Sequence, residues 1–287
     1  MGWASILALL DGNETDRAVA MTGLAIGKAF DATVEGLIVR PDPREAVRLA
    51  IDGMSPAMIE GVIDAARDEA ERRIIKARDS FKTACGDAGV PLDDAAKSGS
   101  VCAAWHEKVG PTADAIANHG RLSDLVVVGH PVRRGSDDAD IAVETVLFET
   151  SCPLLLAGPE PLDPEKLKAM VAWNGGRESA LAVHAAIPLL QRAQQVSVVE
   201  VNGEGIRGPT GKELCGYLAR HGIDATPELL TGNEKPVPDM VLDHAGKTGT
   251  GLLVMGAYGH SRLRELVLGG VTRSMLIDAE LPVLMAH

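Results

Sequence analysis

The sequence predicts an α/β fold made of two tandem copies of one unit. Each copy reads as an open, twisted, five-stranded parallel sheet sandwiched between helices, with the copies related by a pseudo-two-fold axis. Three observations predict it. Two segments open alike: Ile6-Leu7-Ala8-Leu9-Leu10 breaks at Asp11-Gly12, and Ala169-Met170-Val171-Ala172-Trp173 breaks at Asn174-Gly175. Two segments close alike: Cys152-Pro153-Leu154-Leu155-Leu156 has its counterpart in Leu281-Pro282-Val283-Leu284-Met285. Short aliphatic runs alternating with helical patterns mark βαβ units whose strands are covered on both faces.

The elements follow in order. After the first strand a helical pattern runs to about Phe30, and Thr33–Val39 reads as a second strand. The first copy then carries extra length from Pro41 to about Ser55, followed by a charged helix from about Pro56 to Ala88. Trp105 and His106 fall near its third strand, and Asp124–Gly129 is its fourth. In the second copy the helix spans about Ser179 to Arg192, the next strand Val196–Val201, and Gly251–Gly256 is the fourth. Three prolines between Gly158 and Pro164 mark a stiff connection. The expected organisation is residues 1–158, a linker over 159–165, and a second unit over 166–287. The closing strands Leu154–Leu156 and Val283–Met285 are apolar edges that need covering, and pairing them within the chain covers both. A homodimer is compatible with the same edges.

Composition narrows the function classes. A net charge of −12 opposes the phosphate backbone of nucleic acid, and only 3% aromatic residues gives few platforms for stacking bases. The expectation is no nucleic-acid partner. No apolar run approaches the ~20 residues of a membrane helix, and the first residues lack a signal-peptide pattern. Cys85, Cys102, Cys152 and Cys215 show no C-x-x-C spacing, so reduced thiols and a cytoplasmic location are expected.

The second copy carries a candidate phosphate loop. Gly256-Ala257-Tyr258-Gly259-His260-Ser261 follows its fourth strand, and Gly269-Gly270-Val271-Thr272 opens the helix that runs to Asp278. In an open parallel sheet, ligands sit at the carboxyl ends of the strands where the strand order reverses. Glycines there let backbone N–H groups approach an anion, and a helix N-terminus adds its positive dipole end. The competing reading is that these glycines serve only tight turns and close packing.

This set of features resembles the universal stress protein family: a strand ending in Asp-Gly or Asn-Gly, the Val254–Ser261 stretch, and the G-x2-G-x9-G spacing of Gly256, Gly259 and Gly269. The resemblance covers essentially the whole chain and points to the tandem members. It implies a nucleotide-binding, Rossmann-like fold that holds an adenine nucleotide, ATP first, and acts in stress survival. It places adenine near Ala172 and Val201, and ribose near Asn174 and Gly256. It places the phosphates on Gly259, His260, Gly270, Val271 and Thr272, with Trp173, Met255 and Gly269 lining the same site. Two positions depart from the family pattern. Gly270 stands where the family has Ser and loses a hydroxyl. Asn174 stands where the family has an acid, which removes a charged partner for Mg²⁺.

The first copy departs further. Its matching loop, Gly129–Asp140, is shorter, and Asp140-Ile141 replaces the glycine pair. Acids beside a helix N-terminus suit capping and repel phosphate. This copy is expected to be structural, or else to hold a cationic or apolar ligand. His260, Ser261 and Asp278 invite a triad reading, but no G-x-S-x-G elbow surrounds Ser261, and no Walker or H-E-x-x-H motif occurs. The chain is therefore expected to bind rather than catalyse, with slow ATP hydrolysis at most. A ligand-free interaction scaffold is the alternative. An adenylyl-transferring enzyme fits less well, because Asn174–Ser179 only loosely matches the loop it would need.

Overall fold

Strand pairing follows the repeat. The computed structural model describes residues 2–40, 55–93, 100–130, 137–202, 208–232, 235–258 and 271–287. The first half runs β1 (Ser5–Leu10), α1 (Asp16–Phe30), β2 (Thr33–Arg40), α2 (Pro56–Ala88), β3 (Cys102–Val109), α3 (Thr112–Gly120), β4 (Leu125–Gly129), α4 (Asp137–Glu149) and β5 (Leu154–Ala157). The second half repeats the plan with β6 (Lys168–Ala172), α5 (Arg177–Leu190), β7 (Gln195–Val201), α6 (Gly211–Arg220) and β8 (Ala225–Leu230). It closes with α7 (Val237–Thr248), β9 (Leu252–Gly256), α8 (Val271–Asp278) and β10 (Val283–Ala286).

These strands form one ten-stranded sheet in the order β3-β2-β1-β4-β5-β10-β9-β6-β7-β8. Every neighbouring pair within a half is parallel. The halves meet where β5 pairs antiparallel with β10, with Leu155 opposite Leu284. Each closing strand thus covers the other's edge, the place where an open sheet otherwise invites aggregation. The order reverses between β1 and β4 in one half and between β6 and β9 in the other, so each half has its own crevice.

Alternation along the strands sorts side chains into two cores. Ile6, Ala8 and Leu10 face the layer formed by α1, α2, α5 and α6. Leu7 faces the layer of α3, α4, α7 and α8. Both cores contain residues from both halves and run through the β5–β10 seam. The proline-rich connection belongs to this packing, because Leu162 is buried in the first core.

The extra length of the first half becomes the 33-residue helix α2, against ten residues in α6. Ser55 caps α2 through the Met58 N–H, Pro56 occupies its first turn, and Gly89 ends it in the left-handed region at φ 65°. Its C-terminal part lays Phe81 on β2. A Cβ at Gly36 would lie 2.9 Å from the Phe81 ring, which is why a glycine interrupts that strand.

Candidate functional site

The carboxyl ends of β6, β7 and β9 converge in the second-half crevice. Ala172 lies in register with Val199 on one side and Met255 on the other, and β7 continues beyond them to Val201. Ala172 and Val201 are half-buried at this rim. Trp173 turns the other way: its ring is buried in the core, and Nε1 donates to the Pro209 carbonyl at 2.7 Å. Its side chain is therefore a structural anchor rather than a wall of the crevice, which corrects the sequence expectation.

Asn174 is exposed, and its Oδ1 accepts the Gly176 N–H at 2.9 Å, forming an Asx turn at the mouth of α5. Gly175 takes φ 73°, the same left-handed turn as Gly12 at 83° in the first half. A Cβ on Gly256 would lie 2.4 Å from the Ser179 N, and one on Gly129 would lie 2.1 Å from the Thr15 Oγ1. Each glycine closing a fourth strand is thus required by the first helix of its half passing directly over it. The packing role foreseen as the competing reading is real at Gly256, whatever that residue also does for a ligand.

The first turn of α8 is tied back to the strand. Thr272 is buried, and its Oγ1 accepts the Tyr258 N–H at 3.0 Å. Tyr258 itself sits at φ 53°, an uncommon place for a side chain with a Cβ. Its ring packs 5.2 Å from Phe148 of α4, and His287 meets the same Phe148 ring at 4.6 Å. Val271 is half-buried at the start of α8. Gly259, His260 and Gly270, three of the expected phosphate contacts, and Gly269, expected to line the same site, lie outside the described residues.

The first-half crevice is built differently. Asp16, at the first position of α1, is 1% exposed, and its carboxylate accepts the N–H groups of Asp11 at 3.0 Å and Gly12 at 2.9 Å. Burial pushes its pKa up to about 6, although those two bonds and Lys76 pull the other way. Arg73 of α2 crosses the same turn, its Nε donating to the Asp11 carbonyl at 2.6 Å. Val143 of α4 is buried where α8 has Thr272, so the hydroxyl that ties α8 to its strand has no counterpart at this position. Asp140 and Ile141 lie inside α4, where the second half has its glycine pair. What remains is a cleft of about 60 Å³ between Leu10, Leu37, Val128 and His130, far below the ~300–1,000 Å³ of ordinary ligand pockets.

Asp16, His130 and the Tyr258–Thr272 tie were not among the residues foreseen from sequence. Superposing the two copies would have flagged them, because Asp16 faces Ser179, Val143 faces Thr272 and His130 faces Ala257. Among the described residues, no cluster of three or more His, Cys, Asp or Glu could hold a metal ion. All four cysteines carry free thiols. No described helix is long and apolar enough to cross a membrane.

Comparison with known proteins agrees with this architecture. The sequence model of the universal stress protein family matches residues 212–287, which hold the Tyr258–Thr272 tie. The chain is 28% identical over 148 residues to universal stress protein YxiE of Bacillus subtilis, an alignment covering 42% of this chain and 98% of that one. Residues 212–287 thus match the universal stress protein family. A further relative, universal stress protein Slr1230 of Synechocystis, is 36% identical over 67 residues, 23% of this chain and 22% of that one. A universal stress protein from Archaeoglobus fulgidus shares the fold across 98% of this chain and 95% of its own, with a TM-score of 0.68 at 15% identity. A universal stress protein structure from Pseudomonas aeruginosa matches over 99% of this chain and 93% of its own, with a TM-score of 0.56 at 14% identity. Both shared folds extend over nearly the whole of this chain, so the likeness takes in both copies.

Proposed function

We propose that this chain is a universal stress protein whose second half binds one adenine nucleotide, ATP first. Occupancy would change a conformation or a partner surface during stress, rather than turn over a substrate. The observation that carries this reading is the tie between the Tyr258 N–H and the Thr272 Oγ1. It holds Tyr258, just past the end of β9, against the first turn of α8. The first N–H groups of a helix have no partner within it, and its positive dipole end favours an anion.

Ala172 and Val201 would offer strand-end backbone to the adenine, with Met255 and Gly256 beside them. Asn174 would meet the ribose. Gly259, His260, Gly269, Gly270, Val271 and Thr272 would close on the phosphates. Asn174 brings an amide already engaged by Gly176, so this strand end offers no carboxylate to Mg²⁺. In the first half the equivalent turn is filled by Asp16, and we assign that half a structural role. The units would be residues 1–158 and 166–287. The protein would be cytoplasmic, as four free thiols suit.

Calorimetric titration with ATP, ADP and AMP tests this on the wild type, Thr272→Ser and Thr272→Val. ATP should bind most tightly. Thr272→Val, which leaves the Tyr258 N–H without its acceptor, should bind about ten-fold more weakly, and Thr272→Ser should stay near wild type. Folded protein giving no heat with any nucleotide would leave the ligand-free scaffold as the function.

A further inference from the structure

We infer that His130, at the end of β4 in the first half, clasps the C-terminus of α8 in the second half and so positions the helix whose N-terminus faces the proposed phosphate site. The last carbonyls of a helix have no intrahelical donor and need one from elsewhere. In α8, the Met275 carbonyl accepts the Ala279 N–H at 3.2 Å. The next carbonyl, that of Leu276, meets His130 Nδ1 at 3.3 Å across the seam. A carbonyl only accepts, so Nδ1 carries the proton. The Leu281 carbonyl, in the turn before β10, also faces the ring. Burial holds the imidazole below its ordinary pKa, in keeping with a neutral ring that donates through one nitrogen.

The first half solves the same problem by itself. There Arg121, just after α3, donates from Nε to the Glu149 carbonyl at the end of α4 at 3.0 Å. The matching position in the second half is Thr248, whose hydroxyl bonds back into its own helix at the His244 carbonyl, 2.9 Å, and the Ala245 carbonyl, 3.2 Å. Among the described residues, the donor at the end of α8 thus comes from the other copy. The arrangement is not reciprocal, because Ala257 stands where His130 would be and has no side-chain donor. The His130 ring also lines the first-half cleft. That places one side chain between the filled crevice of one copy and the anion-facing helix of the other.

The consequence for nucleotide rests on the function proposed above, whereas the clasp itself can be measured without any ligand. Amide hydrogen exchange is followed by mass spectrometry on the full chain, for wild type, His130→Asn and His130→Leu. Asn places an N–H donor near the Nδ1 position, and Leu keeps bulk without a donor. In His130→Leu the amides of residues 273–280 should exchange about five-fold faster, as expected for one lost hydrogen bond, with β5 and β10 unchanged. His130→Asn should stay near wild type. ATP affinity should fall about five-fold in His130→Leu and recover in His130→Asn.

Unchanged exchange in α8 for His130→Leu would overturn the clasp. Faster exchange at unchanged ATP affinity would overturn its positioning role. Slackening that spreads over both seam strands would show that His130 supports the interface as a whole, and would overturn the specific assignment. If the wild type binds no nucleotide, the proposed function falls, and the exchange pattern alone decides the clasp.

Discussion

The two halves share a strand order, a left-handed glycine turn after the first strand and a glycine pressed under the first helix, yet they treat backbone donors in opposite ways. In the first half the turn at Asp11-Gly12 gives its N–H groups to Asp16, the chain's own carboxylate. In the second half Ser179 takes the place of Asp16 and directs its hydroxyl to the Gly176 carbonyl at 2.9 Å, leaving no acid in the turn. At the other helix the relation is reversed, because Thr272 accepts the Tyr258 N–H whereas Val143 has no side-chain acceptor. The pair teaches that a duplicated fold keeps its packing glycines in both copies, so glycines alone do not separate a working site from a filled one. The polar side chains around them do.

The largest expected effect breaks the comparison at Asp16. Burial raises its pKa to about 6 in the folded protein from an ordinary value of 3.8. Between these values the folded state holds more protons than the unfolded state, so stability falls as pH rises through that window. Asp16 alone should contribute a loss of up to about 3 kcal/mol from pH 3 to pH 7. Urea unfolding across that range should show the slope in wild type and not in Asp16→Asn. A wild-type stability that rises over the same window in step with Asp16→Asn would show that the carboxylate is not buried as described.

A smaller effect sharpens the comparison at the two packing glycines. A methyl on Gly256 meets the backbone nitrogen of Ser179, which cannot move without the helix. A methyl on Gly129 meets the Thr15 hydroxyl at 2.1 Å, which can rotate away, and the Thr15 Cβ at 2.8 Å, so only part of that clash needs the backbone to shift. Gly256→Ala should therefore cost about 2–3 kcal/mol and Gly129→Ala about 1 kcal/mol in denaturant unfolding. Equal costs would mean that the two helices approach their strands alike.

Much of this was legible from sequence, for physical reasons. Short aliphatic strands bounded by Asp-Gly and Asn-Gly are local signals, and so is the Ser55-Pro56 start of α2, whose foreseen span matches the structure. The repeat itself fixed which strands correspond. Long-range choices were not legible. Leu162 falls in the segment read as a stiff linker and is core, because prolines set stiffness and say nothing about burial. Trp173 looked like a crevice wall and is an anchor, because one residue past the strand end the side chain points to the opposite face. Asp16 was not foreseen, because its bonds to the preceding turn depend on α1 folding back over β1. His130 joins residues 146 positions apart, a distance that no local pattern reports.

The central claim is that one half is filled by its own side chains and the other is built to take an anion. Equilibrium dialysis of the full chain against labelled ATP, with amide exchange on the same samples, tests it most directly. The account predicts one nucleotide per chain, with new protection at residues 252–258 and 271–278 and none at residues 5–16. Two nucleotides per chain, or protection centred on the Asp11-Gly12 turn, would contradict it.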